Sequence, residues 1–362
     1  MLEKTLKKLI SFKSVSRDQK ANRRLLDWVK KETSGLPVFT YDFVSNGFPS
    51  LIVGTRKTKT PAVCLLAHTD VVAGSDNMFR ARKAGNKLYG RGTFDMKFAA
   101  ACYIELLKDL KDLKNYNLMM LLTSDEELGG RDGAGDLVKQ GLRPKVVILP
   151  DGGENWTVQR GAKGIYQFEV KARGKSGHSS RPWTGRNAIE ELTGFMQNLK
   201  GNFPAEPCRD KEHNHATMNV SEISGGTVIN QIADQASAKI DIRFPAKISL
   251  SKLRILIHKT AQKHGGIKIM EINSADPYEL DMQNRLVKNF CKILRKRTGA
   301  KPTFIRSHGS SDARFFSAKG VPVILTRPVG AGHHSEKEWV DLASLRDFYA
   351  ILKEFVVDNS RQ

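Results

Sequence analysis

The sequence predicts an α/β fold, with a mixed, mainly parallel sheet in one domain and a smaller α+β domain inserted into it. Three observations carry this reading. Short apolar runs alternate with helical periodicity up to about Asp151. Beyond that point the runs become half-exposed strands with polar neighbours. From about Asp276 the first texture resumes.

Taken in order, Leu2, Leu6, Leu9 and Ile10 fall on one face of a first amphipathic helix. Lysines break up Met1–Val15, so it lacks the continuous apolar stretch of a signal peptide. Ser50–Gly54 and Ala62–Ala67 read as strands, Phe98–Leu113 as a helix and Leu118–Thr123 as a strand. Gly133–Gln140 reads as a helix and Val146–Leu149 as a strand. In the inserted part, Gly164–Ala172 alternates Tyr166, Phe168 and Val170 with polar residues. Asn187–Leu199 is a helix, Ala216–Ile223 and Ala236–Phe244 are strands, and Leu250–His264 is a helix. This β-α-β-β-α-β order predicts a small sheet with one open face. The chain then returns through a helix (Asn284–Arg297), a strand (Val321–Leu325) and a helix (Leu342–Val357). The expected boundaries are 1–162 and 276–362 for the main domain and 163–275 for the insert.

Composition narrows the class. Of 362 residues, 40% are hydrophobic, enough for a core despite a formal charge of +21. No apolar run approaches the roughly 20 residues of a membrane span. The basic residues form short separated groups, such as Lys57/Lys59, Lys108/Lys111/Lys114 and Arg295–Arg297, which read as a solvated surface. Nucleic acid is therefore not an expected partner. Cys64, Cys102, Cys208 and Cys291 are widely spaced with no CxxC pair, which predicts buried or semi-buried thiols and a cytoplasmic protein.

Chemistry gathers at strand ends. Val63–Ala67 runs into His68-Thr69-Asp70, and Leu118–Leu122 into Thr123-Ser124-Asp125-Glu126-Glu127. Val146–Leu149 leads to Pro150-Asp151, and Val321–Leu325 to a loop ending in His333-His334. Parallel sheets collect ligands beyond the carboxyl ends of their strands. Each group alone is an ordinary turn or cap. Together they place carboxylates at one edge, where they repel unless a cation joins them. Imidazole nitrogen with carboxylate oxygen suits zinc. Two histidines and three carboxylates exceed one catalytic zinc and suit two ions sharing a bridging carboxylate.

Several motifs in sequence order carry a family resemblance. They are His68-Thr69-Asp70-Val71-Val72, Gly90-Arg91-Gly92-Thr93-Phe94-Asp95-Met96-Lys97 and Ser124-Asp125-Glu126-Glu127. Gly177-His178-Ser179-Ser180-Arg181-Pro182, Gly309-Ser310-Ser311-Asp312-Ala313-Arg314-Phe315 and His334-Ser335-Glu336-Lys337-Glu338 follow. The chain resembles, over nearly its whole length, the dinuclear-zinc aminoacylase and carboxypeptidase family. That family includes acetylornithine deacetylase, succinyl-diaminopimelate desuccinylase, carnosinase-type dipeptidases and glutamate carboxypeptidases.

The resemblance implies a zinc-peptidase-like catalytic domain, an inserted lid and dimerisation domain, and a homodimer. It implies Asp95 as the carboxylate bridging two zinc ions, with cobalt or manganese as substitutes. His68 and Asp151 would complete one site, and Glu127 and His334 the other. Asp70 would orient His68 through its far nitrogen. Glu126 would be the general base for attack by a metal-bridging hydroxide. His178 would reach the oxyanion from the partner subunit, and a cis peptide would follow Asp95. Arg243, Asn230 and the Gly309, Ser310 and Ser311 loop would hold the free carboxylate of the substrate. A strand-surface ion pair is the competing reading for Arg243.

Three positions depart from the family pattern. Phe98 stands where glycine is usual, and would narrow the site or repack the helix start. His308 stands where a small residue is common. His333 beside His334 leaves two candidate ligands, of which His334 directly precedes the Ser-x-x-Glu segment. Asp151, where desuccinylases usually have Glu, favours the peptidases. The expected activity is hydrolysis of the amide bond of a dipeptide or N-acyl amino acid with a free carboxylate. The alternatives are a biosynthetic deacylase, favoured by Ser310-Ser311-Asp312-Ala313-Arg314, and a non-catalytic binding protein on the same scaffold.

Overall fold

The computed structural model describes residues 1–204, 213–307 and 309–361. Cys208 and His308 lie outside the described residues. The chain forms two compact units, Met1–Arg160 with Leu280–Ile305 and Ser311–Gln362, and Gly161–Glu279 with Arg306–Ser310. The second unit thus takes in Arg306–Ser310, a segment the sequence reading assigned to the main domain. Its Arg306 guanidinium pairs with Glu279 at 2.6 and 2.7 Å, and Ser307 O accepts from Lys163 N.

The first unit is built on a six-stranded sheet. Its spatial order is Phe39–Ser45, Phe48–Gly54, Leu118–Thr123, Val63–His68, Val147–Ile148, Val323–Ile324. The last four run parallel, and the first two join them as an antiparallel hairpin. The parallel strands are apolar because both faces are covered: every residue of Val63–His68 and Leu118–Thr123 is buried. The hairpin turns at Asn46-Gly47, both with positive φ, the conformation an Asn-Gly turn supplies.

The helix Lys97–Asp109 is buried from Lys97 to Leu107, which explains its apolar residues on every face. The Leu2–Ile10 helix packs on it, and Thr5 donates to Glu105 at 2.7 Å. At its start, Lys97 is fully buried and donates to Phe12 O at 2.7 Å. Phe98 is also fully buried and meets Phe348 edge-on at 5.6 Å. Its ring therefore repacks the helix start against the Leu342–Ser360 helix and does not narrow a site.

Two segments differ from expectation. Gln19–Thr33 is a helix, capped by Asp18 accepting from Ala21 N, with Ala21, Leu25, Leu26 and Val29 inward. Gly133–Gln140 is not one continuous helix. A wide turn over Arg131–Gly135 leads into a short helix, Asp136–Lys139. The Asp125 carboxylate accepts from Asp132 N and Gly133 N at 2.8 and 3.0 Å. A Cβ at Gly133 would lie 2.4 Å from that carboxylate, so only glycine allows the approach.

The second unit is a four-stranded antiparallel sheet in the order Thr217–Gly225, Gln235–Phe244, Gly164–Arg173, Ile267–Ala275. The helices Ala188–Lys200 and Leu250–Ala261 pack against it. Its core joins Phe168, Val170, Ile240 and Ile242 to Leu192, Phe195 and Ile257. The alternating burial along Gly164–Arg173 is that of a sheet covered on one face. Among the described residues, no helix is long and apolar enough to cross a membrane.

Candidate functional site

In the first unit, strands deliver the candidate ligands where they end. His68 is the last residue of its strand, and Asp151 follows the Val147–Ile148 strand. Glu126 and Glu127 lie in a single turn after Leu118–Thr123. The peptide between Asp95 and Met96 is cis.

Asp95 is the centre of the arrangement. Its Oδ1 lies 3.2 Å from His68 Nε2, and its Oδ2 lies 3.1 Å from His334 Nε2. Two triples share it: His68, Asp95 and Asp151, and Asp95, Glu127 and His334. Within each, one ligand atom per residue lies within 4.8 Å of the others. His334 Nε2 is also 3.1 Å from Glu127 Oε2. His333 faces away, its Nδ1 3.5 Å from Glu154. His334 thus enters the second triple and its neighbour does not.

Electrostatics reflect this crowding. Burial opposes charge on His68, but Asp70 and Asp95 outweigh it and hold the imidazole pKa well above its ordinary value. Burial also opposes charge on Asp95, yet the two histidines and Arg327 hold its carboxyl well below the usual range. Burial pushes Asp151 up to about 6, against the opposing pull of Arg327. Hydrogen bonds to Asp95 and Glu127 raise His334 to about 10. Burial, reinforced by the charge of Asp151, drives Glu126 well above the usual carboxylate range. Two imidazoles and three carboxylates, focused on two points, match the donor chemistry of divalent transition-metal ions.

Asp70 meets His68 through two of its groups. The partner closer to His68 Nδ1 is the Asp70 carbonyl, at 3.0 Å; the carboxylate is 3.5 Å away. The carboxylate also accepts from Glu126 N and Glu127 N at 3.4 and 3.3 Å. Asp70 thereby sets both the ring and the turn that carries the two glutamates.

Glu338 organises the loop before Asp95. One of its oxygens accepts from Gly92 N, Phe94 N and Asp95 N at 2.8–3.0 Å, and the other pairs with Arg91 at 2.8 Å. Glu338 and Arg91 are both buried. Glu338→Ala should therefore destabilise the fold by about 3–5 kcal/mol, because it strands a buried guanidinium and three amides. A denaturant midpoint equal to that of wild type would refute this.

A family model described as peptidase family M20/M25/M40 matches residues 64–358. The chain belongs to that family. It is a metallohydrolase. The chain is 25% identical over 378 residues to a succinyl-diaminopimelate desuccinylase of Rickettsia bellii, covering 98% of this chain and 95% of the relative. A desuccinylase of Sulfurimonas denitrificans is 24% identical over 363 residues, covering 96% of each. Among solved structures, a tripeptidase from Staphylococcus aureus superposes with a TM-score of 0.74 at 19% identity, over 98% of this chain and 96% of that one. Human carnosine dipeptidase 1 gives 0.68 at 14% identity, over 99% and 95%. At these identities the solved structures speak for the fold, an α/β architecture common to M20 peptidases.

The remaining candidate residues of this M20 chain are placed as follows. Ser311, in the first unit, is buried, and its Oγ accepts from Ala313 N at 3.4 Å. The others lie in the second unit. His178 is exposed, with Nδ1 2.8 Å from Ser180 Oγ. Asn230 is exposed, and its carbonyl accepts from Ser179 N. Gly309 N donates to Ser307 Oγ at 3.0 Å, and Ser310 is half-buried. Arg243 forms a two-pronged pair with Asp241 at 2.7 and 3.0 Å, which is the ion pair its strand position also predicted.

Sequence reasoning missed two residues. Glu338 was within a recognised motif but had no role, because its partners are far away in the chain. Arg327 follows the Val323–Ile324 strand, at the same kind of strand end that identified the other ligands; that position was its only signal.

Proposed function

We propose that this chain hydrolyses the amide bond of a dipeptide or N-acyl amino acid with a free carboxylate. The supporting observation is Asp95, which turns one oxygen to each histidine at the junction of the two triples. His68, Asp95 and Asp151 would hold one zinc ion, and Asp95, Glu127 and His334 a second. When bound, such ions lower the pKa of water toward neutrality and polarise a carbonyl.

Glu126 belongs to neither triple, yet lies close enough to Asp151 to feel its charge. It takes the proton of the attacking water and passes it to the departing amine. Asp70 keeps Glu126 in place through its amide. His178 donates to the developing oxyanion from the second subunit of a homodimer. Supporting such a pairing, the edge strand Thr217–Gly225 exposes Val220 and Ile223, and Ile229 is fully exposed. Asp241 occupies Nε and Nη2 of Arg243, which leaves Nη1 for the substrate carboxylate.

The desuccinylase relatives favour a second reading, a deacylase of succinyl-diaminopimelate type. The test is a substrate panel of dipeptides, N-acetyl amino acids, acetylornithine and succinyl-diaminopimelate, run with zinc-loaded and chelator-stripped protein. We expect zinc-dependent turnover, fastest on a dipeptide or simple N-acyl amino acid. Preference for succinyl-diaminopimelate would establish the second reading. No turnover of any member would overturn both.

A further inference from the structure

We propose that Arg327 is a positioning residue that ties together the two loops supplying the first ligand triple. This inference rests on the two-ion reading above. Arg327 is buried, at 5% exposure. A buried guanidinium persists only where its donors are satisfied. Its Nη2 lies 2.7 Å from Asp151 Oδ1 and 3.4 Å from Asp95 Oδ1. Its Nε donates to Pro150 O at 3.2 Å, and its Cζ lies 5.1 Å from the centre of the Phe94 ring. One side chain thus touches Phe94 and Asp95 on one loop, and Pro150 and Asp151 on the other.

The backbone of Arg327 is anchored in the second loop as well. Arg327 N donates to Gly153 O at 2.8 Å, and Arg327 O accepts from Trp156 N at 3.0 Å. The guanidinium therefore reaches toward Asp95 from a fixed base. The planar guanidinium, tethered at Nε by Pro150 O, sets Nη2 between the two carboxylates, a placement a flexible ammonium does not fix.

The contact is one-sided. Arg327 meets Asp95 through Oδ1, the oxygen facing His68, and meets Asp151. Neither Glu127 nor His334 is among the polar contacts of its guanidinium that the structure defines. The two triples are therefore not equivalent. Among the described residues, Arg327 reaches both carboxylates of the first triple but only the shared Asp95 of the second, so it offsets repulsion and sets the angle in the first.

Stepwise zinc affinities of the metal-free, full-length protein, measured by competition with a chromophoric chelator, test this directly. Asp151→Asn and Glu127→Gln mark which step belongs to which triple. Arg327→Met should weaken the first-triple affinity by roughly 10–100-fold, as loss of a ligand's supporting partner does. Arg327→Lys should weaken it less, and the second-triple affinity should hold in both. Unchanged or tighter first-triple binding in Arg327→Met would show that the guanidinium only competes with the ion, and would overturn the proposal. Equal weakening of both steps together with a lowered Tm would also overturn it, in favour of a purely structural role. A wild type that binds fewer than two ions would instead overturn the two-ion reading, and the inference with it.

Discussion

Asp95→Ala is expected to empty both ligand triples and abolish hydrolysis. Asp95 is the only residue common to the two triples, and each of its oxygens faces a different histidine. Its removal takes a ligand from each ion at once. It also leaves Asp151 and Glu127 without the carboxylate that joins their sites. We expect zinc content, measured by elemental mass spectrometry, to fall from near two equivalents to near zero. The accompanying loss in kcat/KM should be at least about 10⁴-fold, equivalent to roughly 5.5 kcal/mol of transition-state stabilisation. Asp95→Asn, which preserves the shape, controls for misfolding and should show the same loss with a wild-type circular dichroism spectrum. Retention of two zinc equivalents by Asp95→Asn would show that the carboxylate does not bridge.

Glu126→Gln should separate proton transfer from metal binding. Its carboxyl stands outside both triples, so zinc content should remain at the wild-type level. The amide cannot accept the proton of water, so kcat should fall by about 10²–10⁴-fold while KM changes little. Undiminished kcat would remove Glu126 from the reaction. The same variant tests the proposed donation by His178 across subunits. Mixing inactive Glu126→Gln with inactive His178→Ala should restore part of the activity through hybrid dimers, if each site draws its histidine from the partner. Two active parents, or an inactive mixture of confirmed hybrids, would exclude that arrangement.

Much of the site was legible in the chain, and the reasons are local. Apolar runs such as Leu118–Leu122 identify buried parallel strands, because both faces of such strands are covered. The residue after each run is then at a strand end, where ligands gather. The turn chemistry was equally local where it went unread. Asn46-Gly47 between alternating residues is a hairpin signal, and Ala21, Leu25 and Val29 with Asp18 before them mark a capped helix. The expected helix at Gly133–Gln140 fails for a non-local reason: Asp125, eight residues upstream of Gly133, takes the first amides of the segment and draws it into a wide turn.

Sequence alone determined the strand ends, the residue types gathered there and the motifs of the M20 family, and it raised the expectation of two ions. All of these depend on residue identity and short-range periodicity. Tertiary structure decided which of two adjacent histidines turns toward Asp95, that the Asp70 carboxylate holds a turn and leaves its carbonyl nearer the ring, and that Phe98 packs on Phe348. It also brought Glu338 to amides more than 240 positions away, and Arg327 to Asp95 at a separation of 232. Such partners are selected by packing. A buried charge takes whichever donors or acceptors the folded chain places beside it, and no local pattern encodes that choice.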